Sequence, residues 1–230
     1  MADPGHTHFP DCDIVTDETP PHSDVDDFVE SSSFIAELKG GTRVRIRPIA
    51  PKDKERIQEG WQYLSASTRY MRFLHPKSSL SKWELAYLTE IDYVDHFAWG
   101  AELIDEPGKL GIGIARYIRD TNDPTVAEAA LTVVDHYQRM GLGRILLQAL
   151  TEAARQNGIE RFRAEVSASN EQVIRSLTRL GAQAGAIEDS GISLELHLPI
   201  KAFGSSAMYE ALRTVAANQD RDSENEDRES

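Results

Sequence analysis

Between Ala127 and Asn157 the hydrophobic period of the chain changes once. Leu131, Thr132, Val133 and Val134 form a strand-like run. From Leu142 the apolar residues Leu142, Ile145, Leu146, Ala149, Leu150 and Ala153 follow the i, i+3, i+4, i+7 spacing of an amphipathic helix. Between the two lies Gln138-Arg139-Met140-Gly141-Leu142-Gly143-Arg144. The pattern predicts a strand, a glycine turn and a long helix that Gly158 closes.

The same reading orders the rest of the chain. Thr42 to Ile49 alternates, with Val44 and Ile46 on one side and Arg43, Arg45 and Arg47 on the other, which predicts a half-buried strand. Pro51 and Asp53 start a helix carrying Ile57, Trp61 and Leu64 on one face, Ser67 to Leu74 is a second, and Ser81 with Glu84 is a capping box for a third. Phe97 to Ile104 and Leu110 to Ile118 read as strands joined by the Pro-Gly turn Asp105 to Lys109. After the central strand Ala127 to Val134 and the long helix comes a strand at Arg161 to Val166. Asn170 then caps a helix expected to bury Val173, Ile174, Leu177 and Leu180 until Gly181 ends it. Ile192, Leu194, Leu196 and Leu198 alternate with Ser193, Glu195 and His197 as a strand with one wet face.

The glycine turn carries the first chemistry. Two glycines at the mouth of a helix leave the first-turn amides unhindered and without partners inside the helix, and the helix dipole favours an anion there. A phosphate or pyrophosphate fits such a mouth. A dinucleotide fingerprint would need a third glycine at position 146, which is Leu, and no Lys-Ser/Thr pair follows to make a P-loop.

What the segment does match is Q/R-x-x-G-x-G/A, and in this the chain resembles the GNAT superfamily of N-acetyltransferases. The element order over residues 42–200 extends the resemblance, as does Asn170 to Gly181, which matches the family's N-x-x-(apolar)-…-L-G segment. The implied fold class is α/β (α+β): a central mixed, mostly antiparallel twisted sheet of six to seven strands flanked by helices, with a splayed central strand pair. VRIRPIAPKD at Val44, LSASTRYMRFLHP at Leu64, LTEIDYVDHFAWGAEL at Leu88 and Ala127-Glu128-Ala129 further resemble the actinobacterial Pat-type protein lysine acetyltransferases. Well-known members of that branch carry a cyclic-nucleotide-binding domain in front; here an acidic tail is expected instead.

Composition limits the setting. The chain has 230 residues and a net charge of −13. The acidity sits at the ends: residues 1–40 hold ten Asp/Glu against one Lys/Arg, and residues 201–230 hold seven against four. The expected layout is an acidic disordered tail over 1–40, a catalytic domain over 41–200, and a short helix with an acidic disordered end over 201–230. The nearly neutral middle argues against nucleic acid as a partner. No run of apolar residues is long enough for a membrane span, and the lone Cys12 suits a reducing compartment, so a cytoplasmic protein is expected. His6, His8, Asp11, Cys12 and Asp13 lie in a stretch without the structure a metal site needs, so no metal is expected.

Acetyl transfer to an amine needs a neutral nitrogen, whereas a free lysine has a pKa of about 10.4. Glu128 shares a strand face with Ala130, Thr132 and Val134, where desolvation would raise it toward the range of a general base. The alternative is a solvent-facing glutamate or one paired with Arg116 or Arg119. The resemblance implies the catalytic role. It also implies that acetyl-CoA is the cosubstrate, held at its pyrophosphate by Gln138, Arg139, Gly141, Leu142, Gly143 and Arg144 and along the pantetheine by Val133, Val134 and Asn170. A backbone amide at Val133 or its neighbour would face the developing oxyanion. The family's tyrosine acid falls on Leu177 here, leaving Tyr137, Tyr117 and His136 as possible substitutes. Three functions stay open: a protein lysine acetyltransferase acting on partners such as acyl-CoA synthetases, an acetyltransferase of a small amine (polyamine, amino acid or aminoglycoside), and a non-catalytic acyl-CoA sensor. Met208 to Ala217 could form a lid.

Overall fold

Eight strands, β1 (Phe34–Glu37), β2 (Arg43–Pro48), β3 (His96–Leu103), β4 (Gly111–Arg119), β5 (Val126–Val133), β6 (Arg161–Val166), β7 (Gln183–Glu188) and β8 (Gly191–His197), build one sheet in the order β1-β2-β3-β4-β5-β6-β8-β7. The computed structural model describes residues 22–105, 111–188 and 191–203. Every neighbouring pair is antiparallel except β5–β6. That pair is parallel because helix α5 (Leu142–Gln156) carries the chain from the end of β5 back to the start of β6.

α5 covers one face of the sheet. Its stripe Leu142, Leu146 and Leu150 is almost wholly buried, and it meets Ile112, Tyr117 and Phe162. Each such leucine is worth roughly 1.5–3 kcal/mol of burial. The opposite face is covered by α2 (Lys54–Gln62), α3 (Ala66–Phe73) and α4 (Lys82–Thr89), where Ile49, Ile57, Leu85 and Ala98 form a smaller cluster. The expected capping box opens α4: Ser81 Oγ accepts from the Glu84 amide and the Glu84 carboxylate accepts from the Ser81 amide.

Several expectations are corrected. Residues 22–37, read with the acidic tail, form α1 (His22–Ser31) and β1. Val29 is buried and Phe28 packs on Tyr93, while Lys52–Asp26 and Arg45–Glu30 ion pairs hold the acidic side, so short apolar anchors outweigh the charge. With β1 and β7 the sheet has eight strands, one beyond the six to seven expected. Arg47 does not face water: α2 lies over that side of β2, and Arg47 is buried in a two-pronged pair with Asp53 at 2.6 and 2.8 Å. In the last helix, α6 (Glu171–Arg179), no residue is fully buried and Val173 is exposed. Ser193, expected on a wet face, is buried. The Asp105–Lys109 turn beyond Asp105, the Met208–Ala217 lid and the His6–Asp13 cluster lie outside the described residues.

Candidate active site

The parallel pair forks. β5 and β6 are in register only at Val126–Arg161, Ala127–Phe162 and Glu128–Arg163. On the other edge β5 pairs with β4 throughout: Val126 O accepts from the Asp120 amide and the Val134 amide donates to Ile112 O, both at 2.9 Å. Backbone groups alternate in direction along a strand, so the odd positions Leu131 and Val133 turn theirs toward β6. Beyond Glu128 no strand meets them there. Of the two residues expected along a pantetheine arm, Val133 turns its amide to the fork. Val134 has committed both backbone groups, its carbonyl accepting from the Tyr137 amide at 2.8 Å.

At the end of β5 the glycine turn is held from three sides. Gln138 Nε2 donates back to Val133 O at 3.0 Å, Arg139 takes a left-handed backbone (φ 62°) and donates to Gln172 Oε1 at 3.2 Å, and Met140 O accepts from the Lys39 amide at 2.9 Å. Gly141, at φ 97°, is the N-cap of α5. Ser65, Ser81 and Asn170 cap α3, α4 and α6 with side-chain oxygens, but Gly141 has none to give. The first turn of α5 also lacks an acidic residue, whereas α2, α4 and α6 each have one. The amides of Leu142 and Gly143 therefore present an uncapped positive helix end with Arg144 beside it. Phe203 lies against the Arg144 guanidinium, 5.0 Å from ring centre.

Glu128 is exposed. The side chain stands at the start of the fork, and the small Ala130 beside it leaves it open. Neither expected arginine pairs with it: Arg119 binds Asp95 at 2.6 Å, and Arg116 Nη1 donates to His96 Nε2 at 2.9 Å. The Glu128 carboxylate acts electrostatically on Arg72 of α3. Helix α3 is pinned to the other end of β5, where Asp135 accepts from the Ser65 amide and from the hydroxyls of Ser65 and Thr68 at 2.8–3.0 Å.

Beneath α2 and α3 a cavity of about 100 Å³ runs along this face of the sheet. Ala130, Thr132 and Val134 of β5 floor it, Leu64, Phe73 and Ile114 are among its apolar walls, and Arg72 and Arg116 reach it. Its two carboxylates are already occupied: Asp53 by Arg47, and Glu102 by Arg47 and Arg56. Arg116 is buried; burial and the charge of Arg72 push it down to about 9. His96 is pushed down to about 3 by burial and by Arg116, so it is the neutral acceptor of that hydrogen bond. Sequence reasoning missed the functional potential of this pair. The available signal was an arginine at 116 in the otherwise apolar run Ile112 to Ile118.

The remaining candidates separate. Asn170 Oδ1 accepts from the Val173 amide at 3.3 Å as an N-cap. Tyr117 is fully buried, donates to Val94 O at 3.0 Å and is pushed up to about 12 by burial, which fits a structural role. Tyr137 packs partly into the core and edge-on to His136. Among the described residues no group of three His, Cys, Asp or Glu could hold a metal, and no helix is long and apolar enough to cross a membrane.

A mostly antiparallel sheet that forks at one parallel pair, with an uncapped glycine mouth at the fork, places the chain in the class of N-acetyltransferase folds. It belongs to the acetyltransferase (GNAT) family, whose model matches residues 62–182. Acetyltransferase Pat of Mycolicibacterium smegmatis is 36% identical over 166 residues, which is 71% of this chain and 48% of that protein; the chain thus spans about half the length of that relative. Acetyltransferase PA5475 of Pseudomonas aeruginosa is 36% identical over 143 residues, 62% of this chain and 76% of the relative. Among solved structures, the GNAT domain of S. lividans PAT superposes with a TM-score of 0.67 at 30% identity, covering 79% of this chain and all of that one.

Proposed function

We propose that the protein is an acetyl-CoA-dependent N-acetyltransferase that delivers acetyl directly to a lysine side chain of a protein substrate, with Glu128 as general base. The observation that carries this is the fork: an exposed carboxylate at its closed end, unpaired strand amides along it, and an uncapped helix mouth at its open end. A pyrophosphate on the Leu142 and Gly143 amides, with Arg139 and Arg144 alongside, lays the pantetheine against Leu131 and Val133. The thioester carbonyl then lies within reach of an amide such as that of Val133.

Glu128 is five positions from Val133, roughly 16 Å at about 3.3 Å per residue of strand. The proton therefore leaves the lysine ammonium through water. The neutral nitrogen attacks the carbonyl carbon, the C–S bond breaks, the acylated nitrogen gives up its second proton to water, and the thiolate departs without the tyrosine that Leu177 replaces.

A protein substrate is favoured over a polyamine or aminoglycoside by charge. Asp53 and Glu102 are tied to arginines, so the cavity offers a polycation no free carboxylate, while Glu128 is open to a lysine presented from outside. The resemblance to the Pat-type protein lysine acetyltransferases favours the same choice, and with it we propose acyl-CoA synthetases as the substrates and the cytoplasm as the setting.

The test is mass spectrometry of a cell lysate incubated with labelled acetyl-CoA and either wild type or Glu128→Gln. Label on protein lysines that depends on Glu128 supports the reading. Label confined to small amines, or equal labelling by both proteins, overturns it.

A further inference from the structure

The cavity holds two cations that the acetyl-transfer scheme does not use. Arg116 is only 4% exposed, and its two hydrogen-bond partners, His96 Nε2 and Leu88 O, are both neutral. Arg72 rests its guanidinium against the Phe73 ring at 4.8 Å. Among the described residues no carboxylate forms an ion pair with either; Glu128 acts on Arg72 only from further away. A buried cation with neutral partners alone is costly, and a second cation nearby adds to the cost. An anion between them would relieve both.

Position decides which anion. Arg116 is the cross-strand partner of Ala130, which floors the cavity together with Thr132; these two positions alternate along β5 with the fork-facing Leu131 and Val133. A lysine ammonium inside this cavity would meet two positive charges, so the acceptor approaches on the exposed side by Glu128. The group that can turn inward from a thioester at the fork is the acyl chain. Leu64, Phe73, Ile114 and Val134 give its methylenes an apolar wall, and the arginines stand at the end.

We infer that Arg72 and Arg116 bind the terminal carboxylate of a short dicarboxylic acyl group, such as succinyl, carried on coenzyme A, and that the protein transfers this group to amines. The inference rests on the proposed placement of acyl-CoA along β5. The chemistry runs as for acetyl: the ammonium gives one proton through water to Glu128, the neutral nitrogen bonds to the thioester carbonyl carbon, the C–S bond breaks, coenzyme A leaves as the thiolate, and the second proton of the acylated nitrogen passes to water. The distal carboxylate is unchanged and serves as the handle.

The experiment compares kcat/KM for acetyl-CoA, butyryl-CoA and succinyl-CoA with one lysine peptide, using the full chain as wild type, Arg72→Gln, Arg72→Lys and Arg116→Gln. Butyryl has the same chain length without the charge. Wild type is expected to prefer succinyl to butyryl, and the ratio of the two to fall about tenfold or more in Arg72→Gln, with partial recovery in Arg72→Lys. The ratio cancels effects common to both donors, and Arg72→Gln carries the test if Arg116→Gln does not fold. A wild-type preference for butyryl, or a ratio unchanged in Arg72→Gln, overturns the inference. Use of acetyl-CoA without succinyl-CoA sinks this inference alone, whereas failure with every donor sinks the acyltransferase reading beneath it.

Discussion

Glu128 and Arg163 are the last residues of β5 and β6 to lie opposite one another, and the two strands part immediately beyond them. Had the ladder continued, the outward amides of Leu131 and Val133 would be consumed by β6. Instead β6 pairs along its other edge with β8 from Arg161 to Val166, and the edge of β5 stays available. On the proposed mechanism, a carboxylate at the vertex of this opening does not touch a thioester near Val133 and instead takes the proton of an amine lying between them.

Glu128→Gln is therefore expected to lower kcat by roughly 10²- to 10⁴-fold while the Kd for acetyl-CoA stays within a factor of two or so. Glutamine keeps the volume and the exposed position, so folding should be untouched. Steady-state kinetics together with calorimetric titration separate the two quantities. A kcat equal to wild type would remove Glu128 from the chemistry.

Gly141 and Gly143 should separate in the same way, because the structure treats them differently. At Gly141 a Cβ would meet nothing within 4 Å, but φ is 97°, so Gly141→Ala costs about 1–2 kcal/mol from the backbone alone. At Gly143 an added Cβ makes an ordinary contact with Leu131 Cδ2 at 3.5 Å, so Gly143→Ala should leave stability level or slightly raised. Its methyl nevertheless points at Leu131 and Val133, where the pantetheine is expected. Acetyl-CoA affinity should drop about tenfold or more in Gly143→Ala with no fall in urea midpoint. Affinity that merely tracks stability across both variants would deny the helix mouth a binding role.

The parts of this site that could be read from the sequence are those that local physics determines. The stripe from Leu142 to Ala153, the Ser81–Glu84 box and the alternation at Val44 and Ile46 each depend on neighbours a few positions away. β7 was missed because Gln183-Ala-Gly-Ala-Ile-Glu has no alternating pattern; it is a strand because β8 offers it an edge. Arg47 looked solvated because its counterion, Asp53, turns toward it only once α2 folds over β2. Arg72 and Arg116 are 44 positions apart and come together only when α3 lies across β4 and β5. The exposure of Glu128 likewise depends on where β6 leaves β5, which no local pattern records.

The Arg47–Asp53 pair makes a separate prediction about stability. Asp53 is 1% exposed and also accepts from the Ala50 amide at 2.8 Å, so Asp53→Ala would leave a buried guanidinium without its principal partner. A loss of roughly 3–5 kcal/mol is expected in urea unfolding, whereas truncating the more exposed Lys54–Glu90 pair should cost at most about 1 kcal/mol. Burial alone would raise the Asp53 carboxyl, but the Arg47 guanidinium holds it below the usual carboxylate range. Its contribution is thus present above the unfolded value of about 3.9 and lost as pH falls below that. A cost for Asp53→Ala no larger than for the surface pair would show that the network is solvated.

His96 should set the stability at milder acidity. The unfolded chain takes up a proton on this imidazole near 6.5, while in the fold burial and Arg116 delay that step to about 3. Between those values the unfolded state binds more protons, so stability is full above about 6.5 and falls as pH drops through the window. From pH 6.5 to pH 5 the loss from this one residue should be roughly 1.5 kcal/mol, at 1.36 kcal/mol per unit of separation once fully developed. That interval lies above the ordinary carboxylate range, so Asp53 and its like contribute little to it. His96→Gln, which can still accept from Arg116 but cannot charge, should flatten the stability profile between pH 5 and 6.5 in urea titrations. It should also keep Arg116 tethered to β3 in acid, where protonation of the wild-type ring would set two positive charges face to face. An identical slope in wild type and His96→Gln would mean that the imidazole is not held neutral, and that Arg116 owes its position to Leu88 alone.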